Sequence, residues 1–184
     1  MKTRLVSVLA FAALLCGSAA LRAQSLAPAT QVKIDAQLKE IAAWAADPIV
    51  VEAVRAHNAT VPAEQAPLNQ DKWRALTVLD PIVRGFTKNS VGQLLKSKKS
   101  DLVAEAFVSD AAGRKVGFIA KTTHWSHAGK PKHDVPLTGK SWQGPVEVDE
   151  SSGQQQVQIA VPVLDGGKPI GSLVVGLSLT KLAL

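Results

Sequence analysis

Cysteine is almost missing from this sequence: Cys16 is the only one, and it lies in the first two dozen residues. The rest of the chain therefore offers no disulfide, no thiolate nucleophile and no cysteine-based metal site. A G-x-S-x-G nucleophile elbow is also lacking. Gly176-Leu177-Ser178-Leu179-Thr180 fails at its last position and falls in a predicted strand. Asp149 and Glu150 are adjacent carboxylates, but neighbours on a strand or turn point apart and make no acid–base pair. With no nucleophile or base arrangement, the sequence reads as that of a protein that is not an enzyme, and no cofactor is expected. Dense charge is scarce too. Lys96, Lys98 and Lys99 form the only basic cluster, at a predicted helix end where the dipole favours cations. A nucleic-acid partner is not expected from it. There is no internal repeat and no long low-complexity tract.

The first residues are an export signal in pattern. Lys2 and Arg4 precede the apolar run Val6 to Leu15, and small residues follow at Gly17, Ser18, Ala19, Ala20 and Ala23. The apolar run is shorter than a membrane span. Residues 1–23 are read as a signal peptide, which predicts a periplasmic or secreted protein of residues 24–184. Removing Lys2, Arg4 and Arg22 leaves 18 of 21 basic residues against 15 acidic ones, so the net charge falls from +6 to +3. The remaining roughly 160 residues suffice for one ordinary core without covalent staples.

Helices are expected first. Ile34, Leu38, Ile41 and Ala45 make one apolar stripe over residues 30–46. Asp47-Pro48 breaks it and starts a second segment, with Asp47 as N-cap and Pro48 in the first turn. The two segments read as one long, kinked N-terminal helix ending near His57, itself expected to cap that end. A Pro-containing linker follows, then short helices over 71–79, stopped by Asp80-Pro81, and over 91–98, capped by Ser90.

From Leu102 the period becomes two. Strands are expected over 102–109, 115–121 and around Val146 and Val148, with a long loop, 122–144, after the second. The last two strands carry the clearest pattern. Val157, Ile159, Val161 and Val163 alternate, then Leu173, Val175, Leu177 and Leu179, across the turn Asp165-Gly166-Gly167-Lys168. Gly-Gly between two such runs predicts a tight hairpin at the sheet's centre, with Asp165 stabilising its own turn. Pro162 lacks an N–H and should stand where no partner needs one. Residues 24–100 mainly helical, then five strands over 101–184, make an α+β protein with an antiparallel sheet.

FVSDAAGRKVGF (107–118) and VEVDESSGQQQVQIAVPVLDGGKPIGSLVVGLSL (146–179) resemble the extracytoplasmic Cache, or PDC, sensor domain. The resemblance implies a PAS-like five-stranded sheet with a long N-terminal helix packed on it. It also implies a small-molecule pocket between the sheet and the long loop, and a role in signal transduction. The chain ends at Leu184, directly after the last strand, so the expectation is a stand-alone domain that passes its ligand state to a membrane receptor or sensor kinase, or pairs as a homodimer through the N-terminal helix. The 122–144 loop has neither tyrosine nor arginine to grip a carboxylate, unlike the amino-acid-binding version of the family.

That loop is where ligand contacts are expected. Trp125 and Trp142 are candidate apolar walls, and Lys121, Thr123, Ser126, His127 and Gln143 the polar groups, with Lys121 facing an anionic ligand. Equally, both tryptophans can cap the core. His124, His127 and His133 form a weaker metal candidate, since their spacing matches no tight motif. The residues thus favour a small organic ligand bound by a sensory module. A ligand-free interaction protein and a histidine metal-binding protein remain as alternatives.

Overall fold

The structure, a computed structural model, describes residues 26–148 and 153–183. The expected signal peptide and most of the turn at 149–153, with Asp149 and Glu150, lie outside the described residues.

The sheet has five strands, β1 (Val103–Asp110), β2 (Lys115–Phe118), β3 (Trp142–Val148), β4 (Gln155–Asp165) and β5 (Lys168–Ser178), in the order β2-β1-β5-β4-β3. Every neighbouring pair is antiparallel. The β4–β5 hairpin holds the middle, as its alternation predicts. Gly166 and Gly167 take φ of 56° and 85°, the left-handed pair that a two-residue hairpin turn needs. Asp165 does not brace its own turn with its side chain. Both carboxylate oxygens accept from Arg55, at 2.7 Å each, which ties the hairpin tip to a helix. Pro162 pairs with Ser172 on β5 and lies past the last β3 pairing, Trp142 with Ala160, so its missing N–H interrupts no β3 ladder.

Two helices pack on one face of this sheet, α1 (Pro28–Ala45) and α2 (Pro48–Ala59). They are separate elements rather than one kinked helix, because Asp47 is extended (ψ 131°) and its carboxylate accepts from Ile49 N–H. Proline at the first position of α2 needs no donor, so break and restart share one dipeptide. Ile34, Ile41 and Trp44 of α1 and Val50 and Val54 of α2 join Val157, Ile159, Val161, Leu173, Val175 and Leu177 in an aliphatic core. Each such side chain contributes about 1.5–3 kcal/mol by burial.

Three short helices follow, α3 (Gln70–Ala75), α4 (Pro81–Lys88) and α5 (Ser90–Ser97). The helix expected to reach residue 79 ends at Ala75, and Asp80-Pro81 opens α4 instead of only stopping its predecessor. Asn89, not Ser90, caps α5, through Oδ1 and Gly92 N–H at 2.8 Å. The connection between β2 and β3 contains a one-turn helix α6 (Pro131–Asp134) and a 3₁₀ turn at Pro136–Thr138. The chain closes with α7 (Leu179–Leu182). No described helix is long and apolar enough to cross a membrane.

Candidate functional site

Strand register sorts the side chains into two sets. Glu105, Phe107 and Ser109 on β1 fall on the same side as Ser172, Val174, Gly176 and Ser178 on β5 and Gln156, Gln158 and Ala160 on β4. This side, opposite α1 and α2, is covered rather than solvated. Ser109, Lys115, Gln156, Gln158, Ser172 and Ser178 are all buried. One end of the cover is aromatic: Trp73, Phe86, Phe118 and Trp125 meet at ring separations of 5.2–6.0 Å. The 122–125 segment is clipped to α3 by Trp73 Nε1 donating to the Thr122 carbonyl (2.7 Å). Gln70 adds a donor to the Thr123 carbonyl and an acceptor for Trp125 N–H, each at 3.0 Å. Next to it, His127 N–H donates to the Gly113 carbonyl at 3.0 Å, laying the loop back over the sheet.

Under that loop lies a basic cluster. Lys115 is wholly buried, its Nζ 4.2 Å from the centre of the Phe107 ring and in hydrogen-bond contact with His127 Nδ1. Ser109 Oγ is 3.4 Å away. Among the described residues no carboxylate forms an ion pair with Lys115. Burial, then the charge of Lys132, pushes its amine well below the usual lysine range, against weaker upward pulls from Glu105 and Asp110. His127 stacks on Phe107 (4.7 Å, 18°), and burial with the charges of Lys115 and Lys132 lowers it to about 2, so it is neutral. His133 Nδ1 meets Ser172 Oγ at 2.8 Å and Nε2 the Ala111 carbonyl at 3.4 Å. Burial leads in lowering it as well.

A cavity of about 260 Å³ opens beside this cluster. Phe107, Thr123, His124 and His127 line one side, and Glu105, Glu147, Gln156, Gln158 and Lys132 the other. Gln158 links Glu105 to Lys132, its Nε2 donating to Glu105 and its Oε1 accepting from Lys132 Nζ at 2.7 Å. Gln156 Oε1 is buried with no hydrogen-bond partner among the described residues. Gly176 makes this crowding feasible, since a Cβ there would stand 2.5 Å from Gln156 Oε1 and 2.7 Å from Glu105 Cγ. Three other concavities are larger, about 560 Å³ near Pro62, about 510 Å³ beside α1 and about 390 Å³ near Lys99, but none brings buried ionisable groups together.

The residues expected to form the site divide. Thr123 and His127 line the cavity, as does His124. Trp125 is buried in the aromatic cluster and does not line this cavity. Ser126 Oγ donates to the Ala112 carbonyl at 3.0 Å and serves the loop's own turn. Lys121 Nζ sits 4.7 Å above the Trp73 ring, where burial lowers it. Trp142 and Gln143 lie on edge strand β3; Gln143 exchanges two hydrogen bonds with Gln31 of α1, at 2.9 and 3.0 Å. Among the described residues no three of His, Cys, Asp and Glu gather as a metal site. His124, His127 and His133 do not converge, because His133 is spent on Ser172 and Ala111. His57 does not cap its helix; Nδ1 faces Asp110 at 2.9 Å and Nε2 faces Gln65 at 2.8 Å. Glu105, Lys115, Gln156 and Gln158 are absent from the sequence-based candidates. Their signal was polarity at alternate positions of strands that occupy the sheet's interior.

No protein-family model and no curated protein sequence matches the chain. Solved structures do. The sensor domain of the V. cholerae histidine kinase DctB is 17% identical, over 83% of this chain and 53% of that one, with a TM-score of 0.49. The ligand-binding domain of the Pseudomonas fluorescens chemoreceptor CtaA, in complex with L-leucine, is also 17% identical. That match covers 84% of this chain and 53% of the other, with a TM-score of 0.50. The chain thus spans about half the length of each. At such identity the likeness speaks for the fold, and the sheet and helices seen here are those the Cache resemblance implies. The chain has the fold of a Cache-type sensor domain.

Proposed function

We propose that this protein is an exported, periplasmic sensory module that binds a small organic ligand in the cavity between the 122–134 loop and strands β1 and β4. It performs no chemistry on that ligand. The observation that carries this reading is the covered polar face itself. A protein that needed only a stable sheet would gain by filling this side with aliphatic residues, as it does on the other, because buried polar groups add little net stability. A cavity with an aromatic floor and a few convergent polar groups is instead the form a ligand site takes. The loop that covers it is held at both ends, by α3 and by the β1–β2 turn, so an occupant can change how the loop sits. The ligand state is then read by a partner, a membrane receptor, a sensor kinase or a second copy meeting α1.

The test is a thermal-shift panel of amino acids, organic acids, amines, purines and divalent metals, run on wild type and on Thr123→Trp. A ligand at a hundred times its dissociation constant adds about 2.7 kcal/mol to stability. One organic class should shift wild type saturably, and the tryptophan at the cavity rim should abolish the shift while leaving the unliganded melting temperature in place. Silence across the panel, or equal shifts in both proteins, would remove the cavity as the site.

A further inference from the structure

Among the described residues, Val32, Ile49, Val148 and Leu164 are large apolar side chains exposed singly along the chain. Val78 (65% exposed) and Leu79 (77%) are instead neighbours, at the tip between α3 and α4. Scattered single residues need no explanation, but an adjacent pair held out into water does. The turn that carries them is closed by its own hydrogen bonds. Thr77 N–H and hydroxyl both donate to Asp80 Oδ2, at 2.6 and 2.8 Å, and Leu79 N–H donates to Thr77 Oγ1 at 3.2 Å. Beneath the tip, Trp73 of α3 and Val83 and Phe86 of α4 are buried in the aromatic cluster, which anchors both flanking helices. The turn therefore has its shape before any partner arrives, and little ordering cost attends binding.

Basic side chains flank this tip. Lys72 and Arg74 of α3 and Arg84 and Lys88 of α4 are exposed, and Lys121 lies over the Trp73 ring. Helical side chains lean toward the helix N-terminus, so Arg84, one turn into α4, leans toward the tip, with Lys88 a turn behind on the same face. The acids of residues 70–88 are Asp71 and Asp80, which leaves a net of +3 for these seven groups. Asp71 pairs with Arg74 at 3.8 Å, and Asp80 is turned to Thr77.

We propose that this tip is a membrane contact: Val78 and Leu79 insert among the headgroups of a bilayer, and the five cations face the phosphates of anionic lipids. Apolar burial and attraction to anionic lipid are the two components of interfacial binding. Lysine and arginine suit the second, since their stems lie along apolar surface while their charges stay in water. The charge argues for a bilayer over a second copy. Two copies meeting tip to tip would bring like charges together, whereas an anionic bilayer presents a continuous field of the opposite sign. The contact holds whatever the cavity binds.

Co-sedimentation of the wild-type protein with vesicles tests this, using phosphatidylcholine alone and phosphatidylcholine mixed with phosphatidylglycerol. Expected is binding to the mixed vesicles only, weakening several-fold as added salt shortens the screening length. The double variant Val78→Ser, Leu79→Ser should bind about tenfold more weakly at an unchanged melting temperature, because both side chains are exposed. Arg84→Glu with Lys88→Glu should abolish binding. Lys98→Glu with Lys99→Glu makes the same change in net charge at the end of α5, which packs on the sheet's other face, and should leave most of the binding. The emission of Leu79→Trp should shift to the blue on mixed vesicles. No binding of wild type to mixed vesicles, undiminished binding of the serine pair, or equal loss in the two charge-reversal variants would each overturn the proposal, the last by showing adsorption through net charge alone. So would a dimer that the serine pair dissociates, in a protein that leaves vesicles untouched. Wild-type sedimentation and the Leu79→Trp emission decide even where a charge-reversal variant fails to fold.

Discussion

Leu173, Val175 and Leu177 leave β5 on one side, and Ser172, Gly176 and Ser178 on the other, and both sides are buried. On the α1–α2 side the facing residues are mainly aliphatic, close-packed and sealed by α1, α2 and α5. On the other side a single covering layer, part aromatic helix and part loop, encloses serines, glutamines, a lysine and histidines. The first arrangement yields stability per residue through removal of apolar surface from water. The second spends hydrogen bonds merely to offset desolvation and leaves a cavity, so its residues are placed for something other than holding the sheet together. Stability and recognition are divided between the faces of one sheet, with the β-strand period of two as the partition.

That division predicts unequal responses to substitution. The largest effect belongs to the buried charged group on the aliphatic side. Asp110 and His57 are both buried, and Arg114 completes the group. Asp110→Ala strips His57 and Arg114 of their counter-charge and should cost about 3–5 kcal/mol in urea unfolding. Burial alone would raise Asp110, but hydrogen bonds from His57 and Arg114 bring it below its usual value. Burial likewise opposes the charged form of His57, yet its bonds to Asp110 and Gln65 hold it above its usual value. The stability Asp110 supplies is therefore present above its unfolded midpoint and lost as pH falls through its depressed folded one. That of His57 is present below its unfolded midpoint and lost as pH rises through its raised folded one. Wild-type stability should decline at both ends of this window, and the Asp110→Ala profile should be flatter.

Next comes Leu173→Ala, a cavity in the aliphatic core, at about 2–5 kcal/mol with no change in ligand response. Gly176→Ala on the polar side should cost less, about 1–3 kcal/mol by overpacking. Displacing Gln156 and Glu105, it should also abolish the thermal shift that Leu173→Ala preserves. Loss of ligand response in Leu173→Ala, or its survival in Gly176→Ala, would break the division. Arg55→Ala removes an exposed ion pair at the hairpin tip and should change stability by about 0.2–1 kcal/mol, fading with salt.

The aliphatic half of this arrangement was legible in the sequence. Period-two runs around Gly166-Gly167 placed the central hairpin, the Ile34–Leu38–Ile41–Ala45 stripe marked α1 as a helix with one apolar face, and the Cache resemblance set that helix on the sheet. The polar half was not. Gln156 and Gln158 alternate with valine and isoleucine as residues facing water do, and nothing local distinguishes a solvated face from one covered by a loop thirty residues away. Only their position on an interior strand, with a long connection free to fold over it, carries that information. Lys115 was missed for the same reason, since a lysine opening a short strand after a glycine turn reads as solvent-facing. Trp125 proved the reverse case: a loop tryptophan that suggested a pocket wall is spent on an aromatic cluster with Trp73 and Phe86. The helix α4 escaped because Asp80-Pro81 serves equally to stop one helix and to start the next.

The most direct test of the divided sheet is hydrogen–deuterium exchange with and without the strongest ligand from the thermal-shift panel. The account predicts new protection in the 122–134 loop and in β4 around Gln156 and Gln158, with exchange in α1 and α2 unchanged relative to the sheet's own slow core. Protection confined to α1 and α2, with the loop and β4 unaltered under saturating ligand, would contradict it.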